Sequence, residues 1–464
     1  MLKSSAKTGT EDAKGAPTMV SSSPLLPPIT RSPSAPEPNL REPNLARCTL
    51  MALALSLTRA SAAEPVDAET WAARARDAAA RDDLVTLLEA ASAAARLRPD
   101  HPRHLYNQPI EAAKALHQIV LLGLYAPAAE NPAFEPYVAD ETMAYALARL
   151  ADNQSPRGQV DEAFRLPSMT GLVEGLAYDE PTKRWFFSDV HHRMIWVRQP
   201  DGSVAPFTQP DARVPGLTGL AIDAPRGLLW AAALVVPQMG TSDAAAPEQG
   251  GLASFDLVSG ELHSWHPVPA DTQLGDLLVT RRGTVFATDS ASGMIWRLNA
   301  PDATPYRWRV IGRSSERHSL QGLATLGDDS WLLVADYPSG LYLLSVVDPD
   351  QPALPVTIPL GATWVGIDGL RSRKGTVLAL QNGVRPARVL RLDFTPGNGS
   401  SDTPQLASWE EITAGAPAMP DPTLGQFVGA DFVFLGDPGW ALFAAPAAPA
   451  RPRDITVLKV PLIP

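Results

Sequence analysis

VEGLAYDEPTKRWFFSDVHHRMIWVRQPDG, residues 173–202, contains three short runs of alternating apolar and polar or small residues, parted by turn residues around Pro181 and by His191, His192 and Arg193. Period-two alternation over four to eight residues, broken by Pro, Asp or Gly, is the signature of antiparallel strands joined by tight turns. The unit recurs five more times. Its copies read LTGLAID, GLLWAAA, LASFDL from Leu217; LGDLLVT, TVFATDS, MIWRLN from Leu274; and LQGLATL, SWLLVAD, LYLLSVV from Leu320. The last two read IDGLRSR, TVLALQN, RVLRLDF from Ile367 and VGADFVF, GWALFAA, TVLKVPL from Val428. Glycines 175, 219, 275, 322, 369 and 429 mark the six copies at intervals of 44 to 60 residues. That spacing predicts a mainly β fold, a six-bladed β-propeller over residues 160–464.

Five copies are followed by a further strand-like segment: SVAPFTQ, ELHSWHP, YRWRVIG, LPVTIPL and ASWEEIT. The sixth is not, and an orphan segment, EAFRLP (residues 162–167), stands before the first copy. Pairing the orphan with the sixth copy would close the ring and hide two sheet edges that invite aggregation.

Residues 65–154 have a different composition, rich in Ala, Leu, Arg and Glu, which predicts helices. Asp67 or Thr70 can cap a helix through Arg81, and Leu84, Leu87, Leu88 and Ala91 share one face of the next, closed by Pro99. With Trp71 among small residues, this pair resembles one tetratricopeptide repeat of about 34 residues. A less regular unit follows over residues 105–125, interrupted by Pro109, and ETMAYALARLADN forms a last helix. One or two such units do not make a free-standing solenoid. The module is therefore expected to cap the propeller, with a protein partner as the alternative use of its surface.

Residues 1–62 read as a disordered leader followed by a signal peptide. Ser, Pro and Thr dominate as far as Asn44; Arg41 and Arg47 then precede the apolar run CTLMALALSL (residues 48–57), and Ala60-Ser61-Ala62 offers a small-x-small cleavage site. The run is too short to span a bilayer. These features predict a periplasmic or secreted protein, with translation beginning at a later Met such as Met19 or Met51. Cleavage would remove Cys48, the only cysteine, leaving no disulfide and no thiolate nucleophile. A net charge of −11 and the lack of a basic stripe exclude nucleic acid as the expected partner.

In a propeller the inner strands line the channel, and their starts meet the turns between second and third strands at one mouth. Glu174, Thr218, Gly275, Asp276, Gln321, Asp368 and Gly429 are expected there, with His191, His192, Asp289, Asp336 and Asn382 on or beside the turns above. Asp189, Asp289 and Asp336 read as turn residues, because Asp side chains cap their own turns. The segment VVPQMGTSDAAAPEQGG, residues 235–251, is read as a lid over the mouth or a tolerated insertion. No nucleophile elbow, Walker loop or dinucleotide fingerprint occurs in a fitting context.

Residues 173–202, GDLLVTRRGTVFATDSASGMIWRLN in the third copy and GIDGLRSRKGTVLAL in the fifth resemble the gluconolactonase and regucalcin family, a likeness covering about 300 residues. The resemblance implies a divalent cation, usually calcium, held at the mouth by a blade-one Glu, blade-three and blade-four Asn and a blade-five Asp, activating a lactone or ester for hydrolysis. By position Glu174 and Asp368 match, Gln321 replaces the blade-four Asn, and Gly275 replaces the blade-three Asn beside Asp276. Glu174, Gln321 and Asp368 are thus the implied metal ligands and Asp368 the implied base, and calcium tolerates the amide oxygen of Gln321. His191, in the turn above Glu174, is a candidate proton shuttle. The missing Asn supports a second reading, a non-catalytic propeller that binds a small ligand or partner protein. A third is metal-free chemistry, as in strictosidine-synthase-like propellers.

Overall fold

The quoted stretch folds as the three strands Val173–Asp179, Arg184–Asp189 and Met194–Arg198, and Val204–Pro206 adds a fourth. The computed structural model describes residues 67–80, 90, 93–98, 100–101, 112–128, 141–168, 171–240, 247–300, 303–311, 318–395, 402–443 and 453–462. The chain divides into two units, Met1–Pro43 and Asn44–Pro464, and every described residue belongs to the second. The expected leader, signal peptide and Cys48 lie outside the described residues.

Six four-stranded antiparallel sheets form, each a blade of a propeller. In five blades the strands follow chain order from the inner strand outward, and in the sixth Asp161–Leu166 pairs with Ile455–Pro461 as the outermost strand. The ring closes as expected. Phe164 packs its ring 5.5 Å from Trp185 and 6.0 Å from Phe187, with the Arg198 guanidinium 4.2 Å over its face. Phe164→Ala is expected to cost about 1–2 kcal/mol through those ring contacts. A denaturant midpoint would show it, and an unchanged midpoint would mean that the closing strand adds little.

There is no single core. Six apolar clusters lie between neighbouring blades, such as Trp331, Leu333, Trp364, Ile367 and Leu390 between the fourth and fifth. Alternation within each strand supplies apolar side chains to both faces of a sheet, and each face meets the next blade. Near the axis the sheets come too close for side chains. An added Cβ would lie 2.3 Å from the Thr218 carbonyl oxygen at Gly175, 2.5 Å from that of Asp368 at Gly322 and 1.9 Å from that of Thr423 at Gly369.

Blade six departs from the sequence reading. Its inner strand is Gly425–Val428 and its second strand is Asp431–Leu435; Gly429, with φ +56°, is the turn between them and does not line the channel start. Within the expected strand GWALFAA, Trp440–Phe443 forms a short helix instead. Gly369 packs on Thr423 as Gly322 packs on Asp368, so the ring position of blade six belongs to Thr423. The alternation of VGADFVF runs across the turn, and periodicity alone cannot register it.

Asp67 caps α1 (Ala68–Ala80), accepting the Thr70 backbone N–H at 2.7 Å. The face of Leu84, Leu87, Leu88 and Ala91, Pro99 and the Pro109 region lie outside the described residues, and the tetratricopeptide pairing with them. α2 (Ala112–Leu121) and α3 (Glu141–Asn153) pack through Leu116, Ile119, Ala146 and Leu150, and Val384 from blade five joins that cluster. No helix among the described residues is long and apolar enough to cross a membrane.

Candidate functional site

The inner strands of blades one to five break register beside the glycine mark: between Val173 and Leu176, Leu217 and Leu220, Leu274 and Leu277, Leu320 and Leu323, Ile367 and Gly369. A bulge leaves a residue unpaired and re-aims its side chain. The residues inside these breaks are Glu174, Thr218, Gly275 with Asp276, Gln321 and Asp368, so the bulge is what turns the sequence-predicted set toward the channel.

Glu174 and Asp368 lie near enough for the charge of one to act on the other. Both are half-buried. The Trp440 indole N–H donates to Glu174 Oε2 at 2.5 Å, and Asn382 Nδ2 donates to Asp368 Oδ2 at 2.7 Å while its Oδ1 accepts the Tyr337 hydroxyl at 2.9 Å. Burial, then the charge of Asp368, pushes the Glu174 carboxyl well above the usual carboxylate range, with Asp421 and Asp276 adding and Trp440 opposing. Burial likewise pushes Asp368 up to about 7, opposed by Asn382 and reinforced by Asp421 and Asp276. A third carboxyl, Asp421, is raised by burial and then by Asp437, with Arg385 and the shared Asn382 amide opposing.

Asp276 does not face the mouth as a free acid. It stands where blades one, two, four and five carry Gly, and the Arg371 guanidinium crosses from blade five to it, Nη1 to Oδ2 at 2.9 Å, while Nη2 reaches the Leu220 carbonyl of blade two at 3.5 Å. This pair, with Asp276 buried and Arg371 half-buried, joins blade five to blade three across the ring. Gln321 donates its amide N–H to Ser319 Oγ at 3.1 Å, which turns Oε1 toward the space left by Gly275.

The histidines split. His192 Nδ1 meets Asp189 Oδ2 at 2.7 Å, and Asp189 also takes the Gly171 N–H and the Trp196 indole N–H, both at 2.8 Å. Burial works against the charge of Asp189, yet its bonds and the charge of His192 hold its carboxyl below the usual range. His191 Nδ1 bonds the Gln238 carbonyl at 2.9 Å, and its ring lies 4.9 Å from Phe443. Its ring also meets that of His192 at 5.1 Å, so its described contacts are with the blade-two loop, the blade-six helix and the neighbouring histidine.

Asp189, Asp289 and Asp336 do cap their turns, through the N–H of His192 and Ala291 and the hydroxyl of Ser339, and they are also buried. Each accepts the backbone N–H of the segment entering its inner strand, from Gly171, Gln273 and Ser319 respectively. Of the long blade-two segment, Gly240 donates to the His191 carbonyl at 2.9 Å, and residues 241–246 lie outside the described residues.

The donor set suits a hard cation in its chemistry. Glu174 and Asp368 each have one oxygen in a described hydrogen bond and one outside it, no basic side chain pairs with either among the described residues, and Gln321 Oε1 lies on the same ring. Among the described residues no three His, Cys, Asp or Glu side chains converge as a metal-holding group, so water would have to complete any shell.

Sequence reasoning missed Asp421, Trp440, Tyr337 and the Arg371 to Asp276 pair. Trp440 sits in the misregistered sixth copy, and Asp421 lies just before it. Arg371 lies three residues beyond Asp368, where nothing local says that it crosses the pore.

The molecule defined by this fold and mouth is a six-bladed β-propeller with an acidic channel entrance. No family model matches the sequence, and no curated protein does. Among solved structures it is similar to a gluconolactonase from Xanthomonas campestris (16% identity, 64% of this chain and 88% of that one, TM-score 0.41). It is also similar to a PQQ-bound aldose sugar dehydrogenase from Streptomyces coelicolor (13%, 65% and 98%, 0.43) and to virginiamycin B lyase from Staphylococcus aureus (14%, 66% and 100%, 0.38). A fold does not fix a function, which has to be argued from the site.

Proposed function

We propose that the mouth hydrolyses a small lactone or ester, with Asp368 as general base. The observation that carries this reading is the pair of carboxyls, Glu174 and Asp368, gathered from blades one and five without a basic partner among the described residues and both raised above their ordinary range by burial. Two acids whose environments separate their protonation can divide acid and base work at neutral pH.

Asn382 ties down Asp368 Oδ2, leaving Oδ1 to accept a proton from an attacking water. The Trp440 indole occupies Glu174 Oε2, so a proton carried by this acid would be held on Oε1, from which it could pass to the developing alkoxide. Trp440 bonds Glu174 and Tyr337 bonds Asn382, so both rings stand beside the acid pair and offer apolar surface to a neutral substrate. His191 remains a candidate shuttle, reached through the Phe443 side of the mouth. If a divalent cation is bound, Glu174, Gln321 and Asp368 would hold it, and it would polarise the substrate carbonyl. The exported location and the calcium preference belong to this proposal as expectations.

Turnover should rise with pH through about 7, because the base works only when ionised and burial sets its ionisation there. The test is hydrolysis of a lactone and ester panel from pH 5 to 9, with and without chelator, alongside elemental analysis. A flat profile argues against Asp368 as base. Metal content with chelator-sensitive turnover supports the cation; chelator-resistant turnover without metal favours the metal-free acid and base pair. Absence of hydrolysis across the panel would favour a ligand-binding propeller.

A further inference from the structure

The turn that carries Asn382 is held differently from its counterparts. In blades one, three and four the residue opposite the first inner-strand position is Asp189, Asp289 or Asp336, which closes its own turn. In blade five that residue is Gln381. Its amide donates backward to the Thr363 and Val365 carbonyls at 2.9 and 2.6 Å, and its Oε1 accepts from Arg388 Nε at 2.6 Å. Arg388 is itself buried, and its Nη1 donates to the Leu122 carbonyl just past the end of α2, at 2.9 Å.

The far side of the turn is held by the helices as well. Val384 is buried in their cluster beside Leu116, Ile119 and Leu150, and the Tyr125 N–H donates to the Arg385 carbonyl at 2.6 Å. Arg157, after α3, ties the same corner together by bonding Glu411 of blade five at 2.7 Å and the Gly123 carbonyl at 3.1 Å. A buried guanidinium aimed at carbonyls past a helix C-terminus is favourably placed, because those carbonyls lack helical partners.

We propose that α2 and α3 are positioning elements of the mouth, with Val384 and Arg388 as positioning residues that hold the blade-five turn so that Asn382 keeps Asp368 in place. The function assigned to these helices is thus internal to the propeller. The inference rests on the reading of Asp368 as the base.

The test uses the full chain and two variants, Val384→Ala on the turn and Ile119→Ala on the helix, the second leaving the propeller's own residues intact. Hydrogen exchange is followed over residues 112–124, 366–370 and 381–387, with kcat and KM measured on the best lactone or ester. Loosening a held turn should speed exchange in both blade-five segments about tenfold or more. It should also lower kcat about five- to twentyfold with KM within about twofold, since small misplacements of a reacting group are costly. Val384→Ile should restore both. Blade-five exchange that stays at the wild-type rate while residues 112–124 loosen overturns the proposal, as does unchanged kcat with a loosened turn. Asp368→Asn is the control: if it keeps full turnover, the base assignment fails, and the exchange measurement alone decides the positioning claim.

Discussion

Asp368→Asn should lower turnover by about 10²- to 10⁴-fold, the range that a positioned general base contributes. The amide keeps the shape and the bond from Asn382 but cannot take a proton from water. The same change should raise thermal stability at pH 8. The folded-state pKa of Asp368, about 7, lies above the ordinary carboxylate value, so the folded chain binds this proton more tightly than the unfolded one. The stability that this preference contributes is fully present below the ordinary carboxylate range and is lost as pH rises through about 7. At pH 8 the wild-type mouth therefore carries an unfavourable charge that the Asn variant lacks, and at pH 4 the two should melt alike. Loss of turnover with gain of stability is the pattern of a site that trades stability for function. Glu174→Gln should lose turnover too, since its proton is the proposed acid. A variant at 368 that loses neither turnover nor the pH dependence of melting would remove the central role given to this residue.

The second large effect is on the fold. Arg371→Met should destabilise the protein by about 3–5 kcal/mol, because it strands the Asp276 carboxylate in a buried position with its partner gone. Most of that cost is the unpaired charge and not the attraction itself, so the double variant Arg371→Met, Asp276→Gly should recover much of it. Gly is what Gly175, Gly219, Gly322 and Gly369 supply at the matching positions of four other blades. A double-mutant cycle by denaturant midpoint measures the coupling. A single Arg371→Met variant within about 1 kcal/mol of wild type would mean that water reaches the pair and that it does not span a closed channel.

Some of this was legible in the chain and some was not. The count of blades, their strands and the closing role of Asp161–Leu166 follow from alternation and spacing, which local sequence carries directly. The choice of Glu174, Gln321 and Asp368 followed from a resemblance, and the bulges that bring them to the channel match the glycine marks of the repeat. The sixth copy misleads because its apolar alternation continues across Gly429, which places Trp440 in a strand, and Asp421 lies ahead of the copy where no repeat pattern marks it. Asn382 was expected near the mouth, but its bridging of Tyr337, Asp368 and Asp421 depends on three separate segments.

By itself, then, the order of residues determined how many sheets form and which strand ends the ring, because each strand's pattern is set by neighbours two positions apart. Only the closed ring decided which acids share a pore, which one an arginine from across the channel neutralises, and which turn leans on the helices. Those relations join residues as far apart as Glu174 and Trp440, and burial and charge act on them through distance in space, for which spacing along the chain is no guide.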